Sequence, residues 1–311
     1  ERFRRQRQMC IRDRCNLPGP PGIGIKEATS SNDTEIVQET SYTTSFASVE
    51  NIRSMDKDGV SPHLEKVDDK TLRLFYSSIE VKGIAVSLCD YELKCEIQGA
   101  LERMSDLTII ETLDGVRRGY YVALNPQTKQ KDIFTAVFSE DGLSYSNETP
   151  LGFPVDQNEI AWGVPDAVLM PDGLVRVYWV YTEDKTSDEK LVSATSKTTK
   201  GVEFVMDPGY RLENGYVDFE VIRAVEGDWK ALMSYTPHYM PEIPQSLFYA
   251  TSKDGLNWDL IEERITPKGY SYFDPTAIQI DDKNFLVVGS AAPNTLGARE
   301  HILFAAELVL P

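Results

Sequence analysis

The sequence predicts an all-β protein, a single five-bladed β-propeller with four antiparallel strands in each blade. From about residue 45 onward, short segments rich in Val, Ile, Tyr and Phe alternate with Asp-Gly, Asn-Gly and Pro turns. No window carries an apolar stripe with the 3.6-residue period of a helix. Two sequence elements also recur at regular intervals along the chain, which indicates a repeat architecture.

The first recurring element is a strand that ends in Ser, followed by a tight turn and a second strand. Its clearest copies turn at Asp141-Gly142 and at Asp254-Gly255. The serines fall at positions 87, 139, 196 and 252, at intervals of 52, 57 and 56 residues. Four strands in that length are typical of one propeller blade. We expect Asp141 and Asp254 to be structural, because Asp caps such turns and Gly tolerates positive φ.

The second recurring element lies between these hairpins and supplies the first two strands of each blade. A polar residue is followed by an apolar strand, an Asp/Gly turn and a strand rich in Tyr. The five copies begin near Ser61, Ser105, Pro165, Val217 and Asp274. Five copies predict five blades. We expect residues 302–308 and 45–49 to share one blade and so close the ring.

The N-terminal region is predicted to lie outside this domain. Residues 1–16 hold six arginines, and residues 9–14 resemble a translated sequencing adapter of the kind found in metagenomic assemblies. We interpret residues 1–16 as a non-native segment, residues 17–44 as a flexible lead-in and residues 45–311 as the propeller domain. The chain does not begin with Met. Secreted and cytoplasmic locations therefore both stay open.

Composition excludes two classes of partner. The 49 acidic residues exceed the 32 Lys and Arg, so the net charge is −17. Nucleic acid is a poor partner for such a surface, because binding to phosphates requires cationic side chains. No apolar run approaches 18 residues, which argues against membrane insertion. Cys89 and Cys95 flank a predicted turn, and either a cross-hairpin disulfide or two free thiols is consistent with that spacing.

Candidate catalytic residues come from the starts of the first strands, which line the central channel of a propeller. These starts carry His63, Asp106, Asp166, Asp218 and Asp274. Clustered carboxylates raise one another's pKa, so that one acid can stay protonated while another is ionised. We predict the four aspartates to be catalytic and His63 to bind substrate. The alternative is that some of them cap strands or bind a channel ion such as calcium; no cofactor is required.

Aromatic and polar residues near the same mouth are predicted to bind a sugar. Flat aromatic faces beside carboxylates suit a sugar ring, which has apolar C–H surface and hydroxyl groups. The other predicted substrate-binding residues are Trp162, Tyr216, Glu220, His238, Tyr272 and Phe273. In contrast, we expect Trp179, Trp229 and Trp258 to lie in the core between blades.

This repeat, with its Asp-Pro-like strand starts and Ser-x-Asp-Gly hairpins, resembles the five-bladed glycoside hydrolases of the arabinanase, xylosidase and invertase-like group. The resemblance implies a carboxylate base from the first blade, a pKa-tuning carboxylate from a middle blade and a Glu acid from a later one. Asp166 matches the middle position, and Asp218, with Glu220 two residues on, matches the acid. Ser61-Pro62-His63 stands where Asp-Pro is expected. The base would then come from Asp106, Asp274 or His63, or hydrolysis has been lost.

The resemblance and the residues together predict a glycoside hydrolase acting on an oligo- or polysaccharide by paired carboxylates. A second hypothesis is a propeller that binds carbohydrate without catalysis. A third is a sialidase, because Ser252 to Trp258 resembles the hairpins of that class. A sialidase needs three arginines to hold a carboxylate. The arginines of the repeat are predicted to lie away from the mouth; they are Arg73, Arg117, Arg118, Arg176 and Arg223.

Overall fold

The computed structural model describes residues 42–44, 47–155, 163–182, 189–213, 216–235, 245–267, 269–293 and 301–310. Over these residues the protein is all-β, with strands in five antiparallel sheets and no helix. The sheets are the blades of a five-bladed β-propeller, which confirms the predicted fold class. No helix in the described part of the chain could cross a membrane.

Blades 1 to 4 are meanders in which the strands follow chain order from the inside of the ring outward. The strands of blade 1 are β3 (Val60–Lys66), β4 (Leu72–Ser78), β5 (Gly83–Cys89) and β6 (Cys95–Leu101). Those of blade 2 are β7 (Ser105–Glu111), β8 (Arg117–Leu124), β9 (Lys131–Phe138) and β10 (Tyr145–Pro154). Those of blade 3 are β11 (Gly163–Leu169), β12 (Val175–Tyr181), β13 (Lys190–Ser196) and β14 (Phe204–Met206). Those of blade 4 are β15 (Tyr216–Val225), β16 (Asp228–Tyr235), β17 (Ser246–Ser252) and β18 (Trp258–Ile261).

Blade 5 closes the ring with strands from both ends of the described chain. Its strands run in the order β19, β20, β21, β2 and β1. They are β19 (Tyr270–Gln279), β20 (Asn284–Pro293), β21 (Ile302–Val309), β2 (Ser48–Asp58) and β1 (Tyr42–Thr43). Val49 pairs with Leu308 and Ser54 with Phe304, which confirms the predicted shared blade. The N-terminal strand is longer than the predicted 45–49 segment.

The core lies between neighbouring blades, where apolar side chains from facing sheets interdigitate. Trp179, Trp229 and Trp258 are buried there, as predicted. The Asp-Gly hairpins are also structural: the Asp254 carboxylate accepts hydrogen bonds from the N–H groups of Leu256 and Asn257. Cys89 and Cys95 form a disulfide across the β5–β6 hairpin, which resolves the two alternatives left open by the sequence.

Candidate active site

The site is built from a β-bulge near the start of each innermost strand. In blade 1 the pairing register shifts between Val60 and His63, and each of the other blades has a shift at the corresponding place. Four residues at these bulges have positive φ: Ser61 (50°), Asp106 (52°), Val164 (41°) and Asp274 (46°). Such a conformation is uncommon for residues with a Cβ, and a bulge redirects a side chain. The same backbone device therefore directs side chains toward the channel in successive blades.

The bulges create two rings of equivalent residues around the mouth. In blade 4 the equivalent residue is Asp218. It accepts a hydrogen bond from Ser234, 16 residues later in the chain, and Asp274 in blade 5 accepts one from Ser290 at the same separation. The first ring is Ser61, Asp106, Val164, Asp218 and Asp274. The second ring lies two residues further along each strand and consists of His63, Thr108, Asp166, Glu220 and Thr276.

A cavity opens at this mouth, and its described walls come entirely from the five strand starts. Of the predicted residues, His63, Asp106, Asp218, Glu220 and Asp274 line it. Asp166 does not line the cavity and lies buried behind it. The remaining lining residues are Ser61, Pro62, Leu107, Thr108, Val164, Pro165, Phe219 and Pro275. The structure thus brings the predicted carboxylates together while dividing them into two layers.

Two of the lining carboxylates join blades 4, 5 and 1. Asp218 Oδ2 accepts a hydrogen bond from the backbone N–H of Asp274 over 3.1 Å. Asp274 Oδ2 in turn accepts one from the N–H of Ser61 over 3.2 Å and one from Ser290 Oγ over 3.0 Å. Asp218 is only 1% exposed and Asp274 only 5%. Both buried carboxylates therefore hold neighbouring blades together through backbone donors of the next blade.

Asp106 has different surroundings. Its carboxylate accepts a hydrogen bond from Ser61 Oγ at Oδ1 over 2.6 Å and one from Ser105 Oγ at Oδ2 over 3.1 Å. Asp106 is also partly exposed to the cavity. Asp106 thus differs from Asp218 and Asp274 in two ways: these hydrogen bonds come from hydroxyl groups instead of a backbone N–H, and the residue is partly exposed to solvent.

Two side chains of the second ring each accept a hydrogen bond from the backbone of the next blade. His63 Nε2 accepts a hydrogen bond from the N–H of Ile109 over 3.1 Å, and Asp166 Oδ2 accepts one from the N–H of Val221 over 2.8 Å. Burial lowers the pKa of His63, so the imidazole stays neutral at physiological pH. A neutral, buried imidazole already bonded to a backbone group is a poor base. The structure therefore supports a role for His63 in the wall of the site.

Asp166 and Glu220 form a hydrogen-bonded carboxyl pair. Burial is the largest cause of a raised pKa in both residues, and the charge of Asp166 raises the pKa of Glu220 further. The bond from Val221 stabilises the ionised form of Asp166. The backbone of Ala277 does the same for Glu220, and the raised pKa values mean that the pair retains a proton to higher pH than exposed carboxyl groups do. Part of Glu220 reaches the cavity, although its carboxyl group is surrounded by protein and accepts a hydrogen bond from Thr276 Oγ1 over 3.0 Å.

Two of the predicted aromatic contacts with a sugar require correction. Tyr272 is 1% exposed and packs edge-to-face on Phe304 in the core, and Phe273 is also buried. Neither lines the cavity, because β19 already begins at Tyr270 and places both rings inside the strand rather than in a mouth loop. Trp162 and His238 lie outside the described residues. Tyr216 begins β15, and its side chain also lies outside the described part of the protein.

Sequence reasoning missed the prolines of the cavity wall. Pro62, Pro165 and Pro275 each follow a first-ring residue. Proline has no N–H to pair, so it suits the second position of a bulge. The repeated X-Pro was visible in three of the five copies and could have identified this position as part of the wall.

The cavity wall is acidic. None of the described lining residues is Lys or Arg. The arginines of the repeat were predicted to lie away from the mouth, and none of them lines the described cavity wall. Arg117, for example, donates a hydrogen bond to Glu65 over 2.7 Å. In the described part of the chain, no group of three or more His, Cys, Asp or Glu side chains is arranged to hold a metal ion. The carboxyl groups among the described lining residues can perform acid–base chemistry.

The fold is a five-bladed propeller similar to those of several glycoside hydrolases of known structure. An endo-arabinase from Bacteroides thetaiotaomicron VPI-5482 superposes with a TM-score of 0.59 at 13% identity, covering 81% of this chain and 94% of that chain. A family 117 glycoside hydrolase from the marine bacterium Zobellia galactanivorans gives 0.55 at 12% identity, covering 81% and 84%. An exo-β-1,3-galactanase from Phanerochaete chrysosporium gives 0.57 at 9% identity, covering 80% and 60%.

This similarity is one of fold. No protein-family model matches the sequence, and no curated protein matches it. The residues of the mouth therefore have to support any statement about activity.

Proposed function

We propose that this protein is a glycoside hydrolase in which Glu220 is the general acid and Asp166 tunes its pKa. The observation that carries the proposal is the buried Asp166–Glu220 pair, in which both pKa values are raised and Glu220 is the member that lines the cavity. A general acid must remain protonated near the working pH, and a neighbouring carboxylate together with desolvation is a common way to achieve this.

Glu220 suits the acid better than Asp218, the residue that matched that place in the sequence. The Asp218 carboxylate binds Ser234 and the backbone of Asp274, and it is almost fully buried. Glu220 is partly exposed and has a raised pKa. In the reaction, Glu220 donates its proton to the glycosidic oxygen as the bond to the anomeric carbon breaks, and water supplies the new oxygen.

The charge of the wall favours neutral glycans as substrates. Asp106, Asp218 and Asp274 line the cavity without a lysine or arginine among its described residues. A uronic acid or sulfated sugar would place like charge beside these carboxylates at a cost. The names of the endo-arabinase and the exo-β-1,3-galactanase indicate arabinose- and galactose-based chemistry for those proteins. Neutral oligosaccharides of these sugars are therefore the first candidates for this chain.

The test is a hydrolysis screen of the full chain on neutral aryl glycosides and on arabinose- and galactose-based oligosaccharides. Release of reducing sugar that falls about 10²- to 10⁴-fold in the Glu220→Gln variant supports the proposal. Glu203→Gln makes the same chemical change at an exposed site and should retain full activity. A parent protein that hydrolyses none of these substrates, or a fully active Glu220→Gln variant, overturns it.

Carbohydrate binding without catalysis is the second candidate. One observation in its favour is that the first-ring residue of blade 1 is Ser61, which has no carboxyl group. Another is that the Asp218 and Asp274 carboxylates already accept hydrogen bonds from the backbone of the next blade. Binding of an oligosaccharide by calorimetry in a protein that cleaves none of the panel would support this candidate and exclude the first.

A further inference from the structure

An acid at Glu220 requires a second group that activates water, and the cavity offers three other carboxylates. Asp218 and Asp274 each accept a hydrogen bond from a backbone N–H of the next blade. Protonating either one would weaken a bond that joins the ring. A base gains a proton in every turnover, so these two residues are poorly suited to that role.

Asp106 lacks this constraint. The donors to its carboxylate are Ser61 Oγ and Ser105 Oγ. A hydroxyl group can rotate and accept a hydrogen bond as readily as it donates one, so Asp106 can take up a proton without losing either partner. The carboxylate is also partly exposed at the cavity wall, where a water molecule can reach it.

Asp106 and Glu220 belong to blades 2 and 4, which are not neighbours in the ring. The two side chains therefore reach the cavity from separate blades. Single-displacement hydrolysis places its acid and its base on separate walls of the site, with water and the sugar between them.

We infer that Asp106 is the general base and that Ser61, through its 2.6 Å hydrogen bond, is its positioning residue. The inference rests on the proposed function. Asp106 removes a proton from water as the water oxygen bonds to the anomeric carbon. The bond from that carbon to the leaving oxygen breaks, and the leaving oxygen takes the proton of Glu220. The products are a reducing sugar and an alcohol, and the two carboxyl groups exchange their protons with solvent.

The backbone at Asp106 suggests a rescue experiment. Its φ of 52° is a conformation that glycine adopts without strain. Asp106→Gly should therefore keep the bulge while removing the carboxylate and leaving space for a small anion. On an activated aryl glycoside we expect a loss of about 10²- to 10⁴-fold. Sodium azide should then restore turnover and yield a glycosyl azide of inverted configuration, a product that a merely structural role of Asp106 would not give.

Asp106→Asn provides a second variant that keeps the side-chain volume and the hydrogen bond from Ser61. It should lose activity by a similar factor at an unchanged melting temperature. Ser61→Ala tests the positioning residue. Loss of this hydrogen bond leaves the base less well oriented toward the attacking water, so kcat should fall while KM stays close to the parent value.

The two proposals fail in different ways. An active parent whose Asp106→Gly and Asp106→Asn variants keep full activity overturns the assignment of the base while leaving Glu220 as the acid. An inactive Asp106→Gly that azide does not rescue, with Asp106→Asn active, also overturns it. A parent without hydrolysis on the whole panel overturns the proposed function itself.

Discussion

The backbone N–H of Val221 donates a hydrogen bond of 2.8 Å to Asp166 Oδ2 across the boundary between blades 3 and 4. Val221 follows Glu220 directly in β15. The strand that carries the proposed acid therefore also stabilises the negative charge of its carboxyl partner. The charge of Asp166 in turn raises the pKa of Glu220, which is the member of the pair that lines the cavity.

Asp166→Asn should move the alkaline limb of the kcat/KM profile to lower pH. The substitution removes the charge that raises the pKa of Glu220, while the amide oxygen can still accept the hydrogen bond from Val221. At a pH above the pKa of the acid, the protonated fraction falls about tenfold for every pH unit by which that pKa is lowered. The profile of the free enzyme from pH 4 to 9 reports this limb, and an alkaline limb that coincides with that of the parent would rule out tuning by Asp166.

The same pair should make the folded state less stable as pH rises. In the unfolded chain both carboxyl groups titrate near pH 4, whereas in the folded protein their pKa values are raised. The folded state thus binds more protons from about pH 4 towards neutrality, and the free energy of unfolding falls over that window. Urea unfolding at several pH values should show a smaller fall in Asp166→Asn. Glu203→Gln serves as the control. If the unfolding free energy of Asp166→Asn fell with pH as steeply as that of the parent, the raised pKa values of the Asp166–Glu220 pair would not be the cause of the fall.

Asp218→Ala should destabilise the protein more than Asp106→Ala does. Removing the Asp218 carboxylate leaves the buried N–H of Asp274 without this acceptor, a loss that typically costs about 1–3 kcal/mol. Asp106 lies partly exposed in the same ring, and solvent can replace its hydrogen bonds to hydroxyl groups. Urea denaturation of the two variants gives the comparison directly. Equal losses of unfolding free energy would mean that the hydrogen bond from Asp274 to Asp218 contributes no more to stability than the hydrogen bonds of Asp106 do.

Anionic sugars should be poorer substrates than their neutral counterparts. The cavity carboxylates repel a uronate, and the overall charge of −17 adds to the effect. A matched pair of aryl glycosides, differing only in a hydroxymethyl or carboxylate group, should show a higher KM for the carboxylate. Salt screens exposed charges, so the difference should narrow as ionic strength rises. A preference for the uronate would indicate a cationic group among residues outside the described set.

Repeat spacing predicted the architecture well because every blade needs the same hairpins and the same inner strand. It also predicted that the strand starts of His63, Asp106, Asp218 and Asp274 would meet. The sequence could not show which residue of each start faces the cavity. Asp218 and Glu220 lie two residues apart on one strand face, and the bulge before Asp218 determines which residues of this strand start share that face. A bulge depends on backbone pairing across two strands, which the local sequence only partly encodes.

Aromatic residues were harder to place. Tyr272 stands two residues before a first-ring aspartate, where a mouth loop was expected. The strand extends four residues further back than the repeat suggested, so the ring enters the core on Phe304. Burial of a tyrosine between blades and stacking on a sugar both require a large flat side chain, and sequence pattern alone does not separate them.

Two truncations should show where the folded domain begins. Removing residues 1–41 should leave the melting temperature unchanged, because that segment has no pattern of apolar residues that could form a core. Removing residues 1–58 also deletes β2, and with it the buried Val49 and Ile52 and the pairing partner of β21. Each fully buried side chain of this kind contributes about 1.5–3 kcal/mol, and the exposed edge of β21 would promote aggregation. We expect the longer truncation to be insoluble or to melt far below the parent in calorimetry. Equal melting temperatures for the two truncations would mean that blade 5 does not need its N-terminal strand.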